Sequence, residues 1–327
     1  MPGAGVPFSA LPASGFDRSR PWTLVTSSVQ IAVSTVRAVG LLRRYHPDAV
    51  VGFGGYVSIA VGLAARLRRV PLVLHEQNSV PGLANRVLSR WATRVALTYP
   101  EASSALKHPE RCVVTGNPVR PGVVDASRGR GRELFGVPLD ALLLLAFGGS
   151  RGARHINTAL LTMRERLLGV PAVRVVQVAG RAEADSVRVA LAQAGGDGGG
   201  RWQVLDYVDD MGSGLAAADV VLSRAGATSL AEITVLGRPA ILVPYPYATD
   251  DHQTRNAASL LAEGAAEVIS DADLDTPRFG DTLLRLLSDA EARATMAAAS
   301  KRLGRPDAAL RVAELAREAV TGASSSG

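Results

Sequence analysis

The chain has 327 residues, of which 47% are hydrophobic, so it is too apolar to be disordered and long enough for two packed domains. Its single cysteine, Cys112, excludes a disulfide framework and a multi-cysteine metal site, and it predicts a buried core thiol in a reducing compartment. The net charge of +6 suits an anionic ligand or lipid surface, although Arg-rich coding would give the same balance, and no basic run interleaved with aromatic residues points to nucleic acid.

The first third of the chain alternates between predicted helices and strands, which favours a parallel sheet. We predict helices over residues 22–44, 57–68 and 82–91, and strands in DAVVGFGG (48–55), PLVLHEQN (71–78), RVALTYP (94–100) and CVVTGNP (112–118). The following segment, 119–140, is rich in Arg, Gly and Pro and has little apolar periodicity. It is therefore interpreted as a connection between two domains.

A second series of strands begins at residue 141. Its strands lie in ALLLLAFGG (141–149), VRVVQVAG (173–180), WQVLDYV (202–208), ADVVLSRAG (218–226) and PAILVPYP (239–246), with helices between them. The predicted fold class is therefore α/β, with two doubly wound parallel-sheet domains. We place the first domain at 1–125 and the second at 138–303.

The first strand of the second series runs into a glycine-rich turn, AFGGSRGARHIN (146–157). Its glycines allow a sharp turn close to a ligand, and the following helix start favours an anion, although a turn needed only for packing has the same appearance. The spacing does not fit a nicotinamide-binding turn, and Ala153 stands where a phosphate-binding loop needs Lys. GGSRG also matches the nucleophile elbow of α/β-hydrolases, with Ser150 as nucleophile and Asp250, Asp251 and His252 following in order.

A second turn with anion-binding character lies in SRAGATSLAEITVLGRPAILVPYP (223–246). Ala227, Thr228 and Ser229 offer amides and hydroxyls at a predicted helix start. Glu232, one turn later, has two interpretations: it accepts hydrogen bonds from a ribose diol, or it forms a capping box with Ser229. The local sequence leaves both open.

Six motifs in order, HEQNSVPGLANR, GNPVR, FGGSRGARHIN, YVDDM, SRAGATSLAEI and DDHQTRNA, resemble those of the MurG-type peptidoglycan glycosyltransferases of glycosyltransferase family 28. The resemblance implies the GT-B architecture, in which two Rossmann-like domains face a cleft, with a C-terminal helix at about 306–321 returning to the first domain. It also implies transfer of N-acetylglucosamine from UDP-GlcNAc to the undecaprenyl-diphosphate-linked muramoyl-pentapeptide (lipid I), with inversion, giving lipid II. No metal or other cofactor is implied.

The resemblance carries roles onto individual residues. The implied UDP-GlcNAc ligands are Asn78, Arg120, Ser150, Val208, Ala227, Thr228, Ser229, Glu232 and Gln253. Asn78 and Gln253 would bind the sugar, Ser150 would lie beside the diphosphate, and Val208 would flank the uracil. Glu232 would then be a ribose ligand. Family members begin with a GGTGGH loop whose His is the proposed base, and without that loop in this chain the candidates are His75 and Glu76.

The chain starts after that loop, so we expect an exposed edge on the first sheet and weak or no activity of this chain alone. A misplaced start codon and a catalytically impaired paralogue, binding only donor or a partner, both suit this departure. The lipid acceptor implies a peripheral protein on the cytoplasmic face of the plasma membrane, in contact with cell-wall and division machinery. Candidates for the anionic inner leaflet are Trp22, Leu24, Val25 and Ile31 with Arg18, Arg20 and Arg37, although a solvent-facing Arg fringe on a core helix gives the same pattern.

Overall fold

A computed structural model describes residues 6–12, 23–148 and 154–324. The chain forms two compact units: unit 1 is Met1–Asn117 with Asp307–Gly327, and unit 2 is Pro118–Pro306. Each unit contains one parallel sheet, which confirms the prediction of two parallel-sheet α/β domains. Within the described ranges, no helix combines the length and the apolarity needed to cross a bilayer.

Unit 1 is a four-stranded sheet in the order β1-β2-β3-β4, with every pair parallel. Its elements are α1 (Thr23–Tyr45), β1 (Val50–Gly52), α2 (Gly55–Arg68), β2 (Leu72–Glu76), α3 (Leu83–Leu88), β3 (Arg94–Leu97), β4 (Cys112–Val114) and, from the end of the chain, α14 (Ala308–Ser324). The central strand β2 is buried at all five positions, as expected for an apolar run in a parallel sheet. The core lies between this sheet and its helices.

A helix from the C-terminal end of the sequence, α14, packs on the sheet of unit 1. Val312 and Leu315 of α14 pack against Ala96 of β3 and Val113 of β4. Cys112 is only partly buried, so the prediction of a buried core thiol is wrong, because Cys112 opens β4 at the edge of the sheet. At the opposite edge, Val51 of β1 is 36% exposed.

Unit 2 is a six-stranded parallel sheet in the order β10-β9-β8-β5-β6-β7. Its strands are β5 (Leu142–Phe147), β6 (Val173–Val178), β7 (Trp202–Leu205), β8 (Val220–Ser223), β9 (Ala240–Leu242) and β10 (Glu267–Val268). Its helices are α4 (Pro121–Val124), α5 (Arg128–Phe135), α6 (Arg154–Thr162), α7 (Arg164–Leu168), α8 (Ala184–Gln193), α9 (Met211–Ala217), α10 (Ala227–Leu236), α11 (His252–Ala262), α12 (Pro277–Ser288) and α13 (Ala290–Leu303). The strand β10 was not predicted.

The strand order reverses between β5 and β8, because the chain builds outward from β5 in one direction and from β8 in the other. In open parallel sheets, ligands bind beyond the carboxyl ends of the strands at such a reversal. The segments that leave the sheet there lead into α6 and α10. These two helix starts carry the glycine-rich turn and the second anion-binding turn of the sequence.

The segment 119–140 differs from its interpretation as an interdomain connection. It contains α4 and α5, and both belong to unit 2. Ser127 caps α5 by accepting a hydrogen bond from the amide N of Arg130 at 3.3 Å, and Phe135 is buried at the end of the helix. The segment is therefore part of a core rather than a linker.

Replacing Gly131 by Ala is expected to lower the free energy of unfolding of unit 2 by about 1–3 kcal/mol, the usual cost of overpacking. A Cβ atom at Gly131 would lie 1.9 Å from the backbone O of Ser213, which is a rigid atom of α9. Gly129 in the same helix has open space, so Gly129→Ala should be neutral or stabilising. Urea unfolding of both variants checks this, and equal stabilities would contradict the packing of α5 on α9.

Candidate donor site and the polar edge of unit 1

The turn after β8 begins α10 without a side-chain cap. Gly226 is the residue before the helix, and Ser229 already lies inside the first turn. A capping box requires the Ser at the position that precedes the helix, so the capping interpretation of Glu232 is wrong. Ala227 and Ser229 are half-buried and Thr228 is exposed, which leaves the helix start open to a ligand.

Glu232 is paired instead with a residue 112 positions earlier. Arg120 directs Nη2 at Oε1 of Glu232 at 3.2 Å. The Glu232 side chain is 6% exposed and that of Arg120 is 62% exposed, so a buried carboxylate meets a cation from the surface. Burial raises the pKa of Glu232, and the charge of Arg120 opposes that rise. Two of the predicted donor ligands are therefore in direct contact within unit 2.

A cavity of about 480 Å³ lies beside Arg120. Its lining residues are Arg120, Gly122, Val123, Asp125, Ala126, Arg130, Asp209, Asp210, Met211, Gly212 and Ser213. Asp210 caps α9, because its carboxylate accepts from the amide N of Ser213 at 3.1 Å and from the Ser213 hydroxyl at 2.8 Å. Val208, two residues earlier, is buried, so this residue offers backbone rather than side-chain groups to a ligand.

Gln253 lies in the first turn of α11 and fixes the loop that precedes it. Its Oε1 accepts a hydrogen bond from the amide N of Tyr245 at 2.9 Å. Its Nε2 makes no hydrogen bond to any residue that the structure describes, so this amide donor is free for a ligand. Ser150, predicted beside the diphosphate, lies outside the described residues.

Among the described residues, the hydrogen bond observed for the His252 ring goes to a backbone carbonyl and not to a carboxylate, which does not match the hydrolase interpretation. Nδ1 of His252 lies 2.6 Å from the carbonyl O of Thr249, and Asp251 accepts from the hydroxyl of Thr254 at 2.6 Å. In a serine hydrolase that ring nitrogen would be held by an acid from another strand end. The local geometry is that of a helix start.

Sequence reasoning missed a cluster of charged residues next to the two helix starts, which we call the Asp271 cluster: His155, Arg224, Asp271 and Asp275. Asp271 contacts Nη1 of Arg224 through Oδ1 at 2.5 Å and Nδ1 of His155 through Oδ2 at 2.8 Å. The second ring nitrogen of His155 lies 2.9 Å from Asp275. Its members lie far apart in sequence. Two of them, Arg224 and His155, lie within the motifs SRAGATSLAEI and FGGSRGARHIN, but neither motif indicates that these residues are in contact.

Unit 1 has a polar edge where β2 ends. Both carboxylate oxygens of Glu76 accept hydrogen bonds: Oε1 from the amide N of Asn78 at 3.0 Å, and Oε2 from the amide N of Gly82 at 3.0 Å and from Nδ2 of Asn85 at 2.8 Å. Glu76 is 2% exposed. This carboxylate therefore organises the loop that carries Asn78, which is half-buried.

His75, the other base candidate, is fully buried beside Glu76. Its Nε2 lies 3.0 Å from the carbonyl O of Gly116, and its ring stacks at a tilt on Phe53, with centroids 5.5 Å apart. Burial lowers the pKa of His75, and the Gly116 contact and the charge of Glu76 oppose that shift. Its geometry is that of a neutral imidazole packed at a strand end.

Comparison with known families identifies both halves of the chain. The description "Glycosyltransferase family 28 C-terminal domain" matches residues 143–312, and "Glycosyltransferase family 28 N-terminal domain" matches residues 1–97. The second match includes the strands of unit 1 up to β3, and the first includes the whole sheet of unit 2 except the first residue of β5.

Individual relatives agree with this. A protein of Desulforudis audaxviator named UDP-N-acetylglucosamine--N-acetylmuramyl-(pentapeptide) pyrophosphoryl-undecaprenol N-acetylglucosamine transferase is 40% identical over 310 residues, covering 94% of this chain and 83% of the relative. A protein of the same name from Nitratidesulfovibrio vulgaris is 42% identical over 311 residues, covering 95% and 83%. The crystal structure of Acinetobacter baumannii MurG superposes with a TM-score of 0.71 at 31% identity, covering 89% and 80%.

Proposed function

The chain belongs to glycosyltransferase family 28, and from this premise we propose that it transfers N-acetylglucosamine from UDP-GlcNAc to lipid I, giving lipid II in peptidoglycan synthesis. The observation that carries the proposal is the name shared by relatives about 40% identical over 94% of the chain. The fold class is that of the GT-B glycosyltransferases, with one parallel sheet in each of two units.

We propose that unit 2 holds the donor and unit 1 the lipid acceptor. In unit 2, Glu232 accepts from the ribose diol, Arg120 contacts the donor beside Glu232, and the backbone at Val208 flanks the uracil. The start of α10 at Ala227, Thr228 and Ser229, with Ser150 of the other turn, receives the diphosphate. The support is the contact of Arg120 with Glu232 and the position of α10 at the strand-order reversal. Within unit 2, Gln253 binds the sugar.

The reaction is an inverting hexosyl transfer. A base removes the proton of the muramoyl 4-hydroxyl, the oxygen attacks the anomeric carbon, and UDP leaves from the opposite face. Negative charge develops on the diphosphate, and amides at a helix start stabilise such charge without reorganisation. Since His75 and Glu76 are both buried and hydrogen-bonded, the geometry favours a supporting role for them.

The same proposal places the protein at the anionic inner face of the plasma membrane, where its acceptor lies. Trp22, Arg18 and Arg20 of the predicted surface are outside the described residues, and so are the side chains of Leu24 and Val25. Along α1, Val29, Val33 and Val36 are 56%, 45% and 73% exposed, and they lie on one face at helical spacing. Ile31 is half-buried, and the exposed Arg37 follows this apolar face. Contacts with cell-wall and division machinery rest on the family resemblance alone.

Liposome flotation tests the membrane contact. The chain should float with vesicles that contain anionic lipid and remain in the soluble fraction with neutral vesicles, because Arg residues gain about 1 kcal/mol each near an anionic surface. Val33→Glu should weaken flotation, and a lack of dependence on lipid charge would contradict the proposal.

Transfer itself is tested with the purified chain, labelled UDP-GlcNAc and a lipid I analogue. The expected products are UDP and the disaccharide lipid, with the new glycosidic bond inverted relative to the donor. UDP binding without transfer would support the impaired-paralogue alternative, and the absence of UDP binding would overturn the proposal. Covalent labelling of Ser150 by a fluorophosphonate would favour the hydrolase.

A further inference from the structure

We infer that Asp271 is a positioning residue of the donor site: one carboxylate joins the two helix starts that receive the diphosphate and sets their relative position. The inference rests on the proposed function, since it concerns the placement of the donor. Asp271 lies in a 3-10 helix, Asp271–Asp275, that follows β10. Among the described residues, its hydrogen-bond partners are His155 and Arg224, neither of which is a predicted ligand of the donor.

The carboxylate bridges the two segments that leave the sheet at the strand-order reversal. Arg224 follows directly after β8 and precedes the turn into α10, and His155 is the second residue of α6. Oδ1 of Asp271 lies 2.5 Å from Arg224 and Oδ2 lies 2.8 Å from His155. A displacement of Asp271 therefore moves both helix starts.

Burial makes this contact expensive to lose. Arg224 is 8% exposed, and its Nε has no hydrogen-bond partner among the described residues. Its Nη1 also lies 3.4 Å and 3.3 Å from the carbonyl oxygens of Val243 and Pro244, and its guanidinium lies 5.5 Å from the ring centroid of Tyr245. Without the carboxylate, a buried cation would lose its only anionic partner in the described structure. The guanidinium would then have to shift toward solvent and take the start of α10 with it.

His155 makes the cluster responsive to pH. The hydrogen bond to Asp271 raises the pKa of His155, with burial opposing and Asp275 assisting. Burial opposes ionisation of Asp271, but the contacts with His155 and Arg224 outweigh it and lower the pKa of this carboxyl. With His155 protonated, two cations and two carboxylates make the Asp271 cluster formally neutral. Loss of that proton leaves one net negative charge near the bound diphosphate.

Several other charged side chains on α6 and on the elements packed against it have partners outside the Asp271 cluster. From the α8 side, Glu183 pairs with Arg154 at 2.8 Å. On α7, Arg164 bonds the carbonyl oxygen of Gly196 at 2.6 Å and Arg166 pairs with Asp281 at 2.9 Å. In the 3-10 helix itself, Asp273 pairs with Arg278 at 3.2 Å. The charge of the cluster therefore changes when His155 loses its proton. Because the pKa of His155 is raised, this happens at a pH above about 6.5, the ordinary pKa of histidine.

The test is the Kd for UDP, measured by calorimetry at about pH 7 and about pH 8.5, where the phosphates of UDP with a pKa near 6 are already ionised. The wild-type Kd should rise as the pH rises through the raised pKa of His155. Asp271→Asn should raise the Kd at the lower pH about ten-fold, a common size for coupling between sites. His155→Gln should raise it less and remove the pH dependence. Asp281→Asn, which makes the same charge change in an exposed pair with Arg166, is the matched control and should behave as wild type.

Thermal unfolding without ligand shows whether each variant folds. If Asp271→Asn does not fold, His155→Gln carries the test through its pH profile, because the His155 side chain is 31% exposed and tolerates exchange. Wild-type Kd and pH profile in a folded Asp271→Asn or His155→Gln variant would overturn the inference and leave the proposed function standing. A wild-type protein that binds no UDP at either pH would overturn the proposed function, and the inference with it.

Discussion

Replacing Glu232 by Gln is expected to raise the Kd for UDP about 100-fold, which corresponds to about 2.7 kcal/mol. The reason is that two ribose hydroxyls would lose an ionised acceptor, and hydrogen bonds to charged groups contribute about 1.5–3 kcal/mol each. The Glu232 side chain is 6% exposed, so solvent cannot replace the lost acceptor. Isothermal calorimetry with UDP measures the effect directly, and the UDP-induced rise in Tm should vanish at the same time.

The unliganded protein supplies the control for this prediction. Burial raises the pKa of the Glu232 carboxyl, so its ionised form is disfavoured in the fold and the Gln variant should not have a lower Tm than wild type. Glu267→Gln makes the same change in a pair with Arg285 at 2.5 Å, whose side chain is 48% exposed, and should leave UDP binding intact. A wild-type Kd in Glu232→Gln would remove the ribose role.

Replacing Arg132 by Leu is expected to lower the free energy of unfolding by about 3–5 kcal/mol, the cost of breaking a buried ion pair from one side. Arg132 is 1% exposed, and its Nη2 lies 2.6 Å from Oδ2 of Asp219. Its other donors are satisfied by carbonyl oxygens of Pro138 at 2.7 Å, Ala141 at 2.8 Å and Ala217 at 3.1 Å. The variant removes all of these donors. Ala217 O keeps a hydrogen bond from Arg128 at 3.2 Å and Pro138 O keeps one from the amide N of Ala141 at 3.2 Å, so the loss is largest at Ala141 O.

Arg130 in the same helix provides the comparison. Its side chain is 74% exposed and pairs with Asp210 at 3.3 Å, so Arg130→Leu should change stability by about 0–1 kcal/mol. Urea unfolding of both variants gives the difference. Equal losses in the two variants would mean that the buried network around Arg132 does not hold α5 in place.

The strands were predictable where they form buried apolar runs. β5, LLLLAF, is buried at five of its six positions, as its entirely apolar sequence predicts. β10 contains only two residues and has no periodicity to detect. α5, RGRGRELF, resembles a solvated linker because Gly and Arg carry no apolar stripe. Its stability comes from a buried Arg132 whose partners lie outside the helix, which no local pattern reveals.

The residues of the candidate site could be predicted from the motifs, but the contacts between them could not. The motifs placed Arg120 and Glu232 in one site through resemblance, whereas the sequence alone gave Glu232 two roles. The choice depended on whether the residue that precedes α10 is Gly226 or Ser229, and helix boundaries are set by backbone geometry that S-x-x-E does not determine. The Asp271 cluster could not be predicted from any local sequence pattern, because His155 and Asp271 are 116 residues apart.

The return of α14 to the sheet of unit 1 has a consequence for synthesis of the chain. Unit 2 is a single continuous segment, 118–306, and can fold as soon as that segment has left the ribosome. The strands of unit 1 are translated first, yet Ala96 and Val113 stay uncovered until Val312 and Leu315 have been made. Unit 1 is therefore completed only after unit 2 has been translated, and until then its sheet leaves these apolar side chains without their partners from α14.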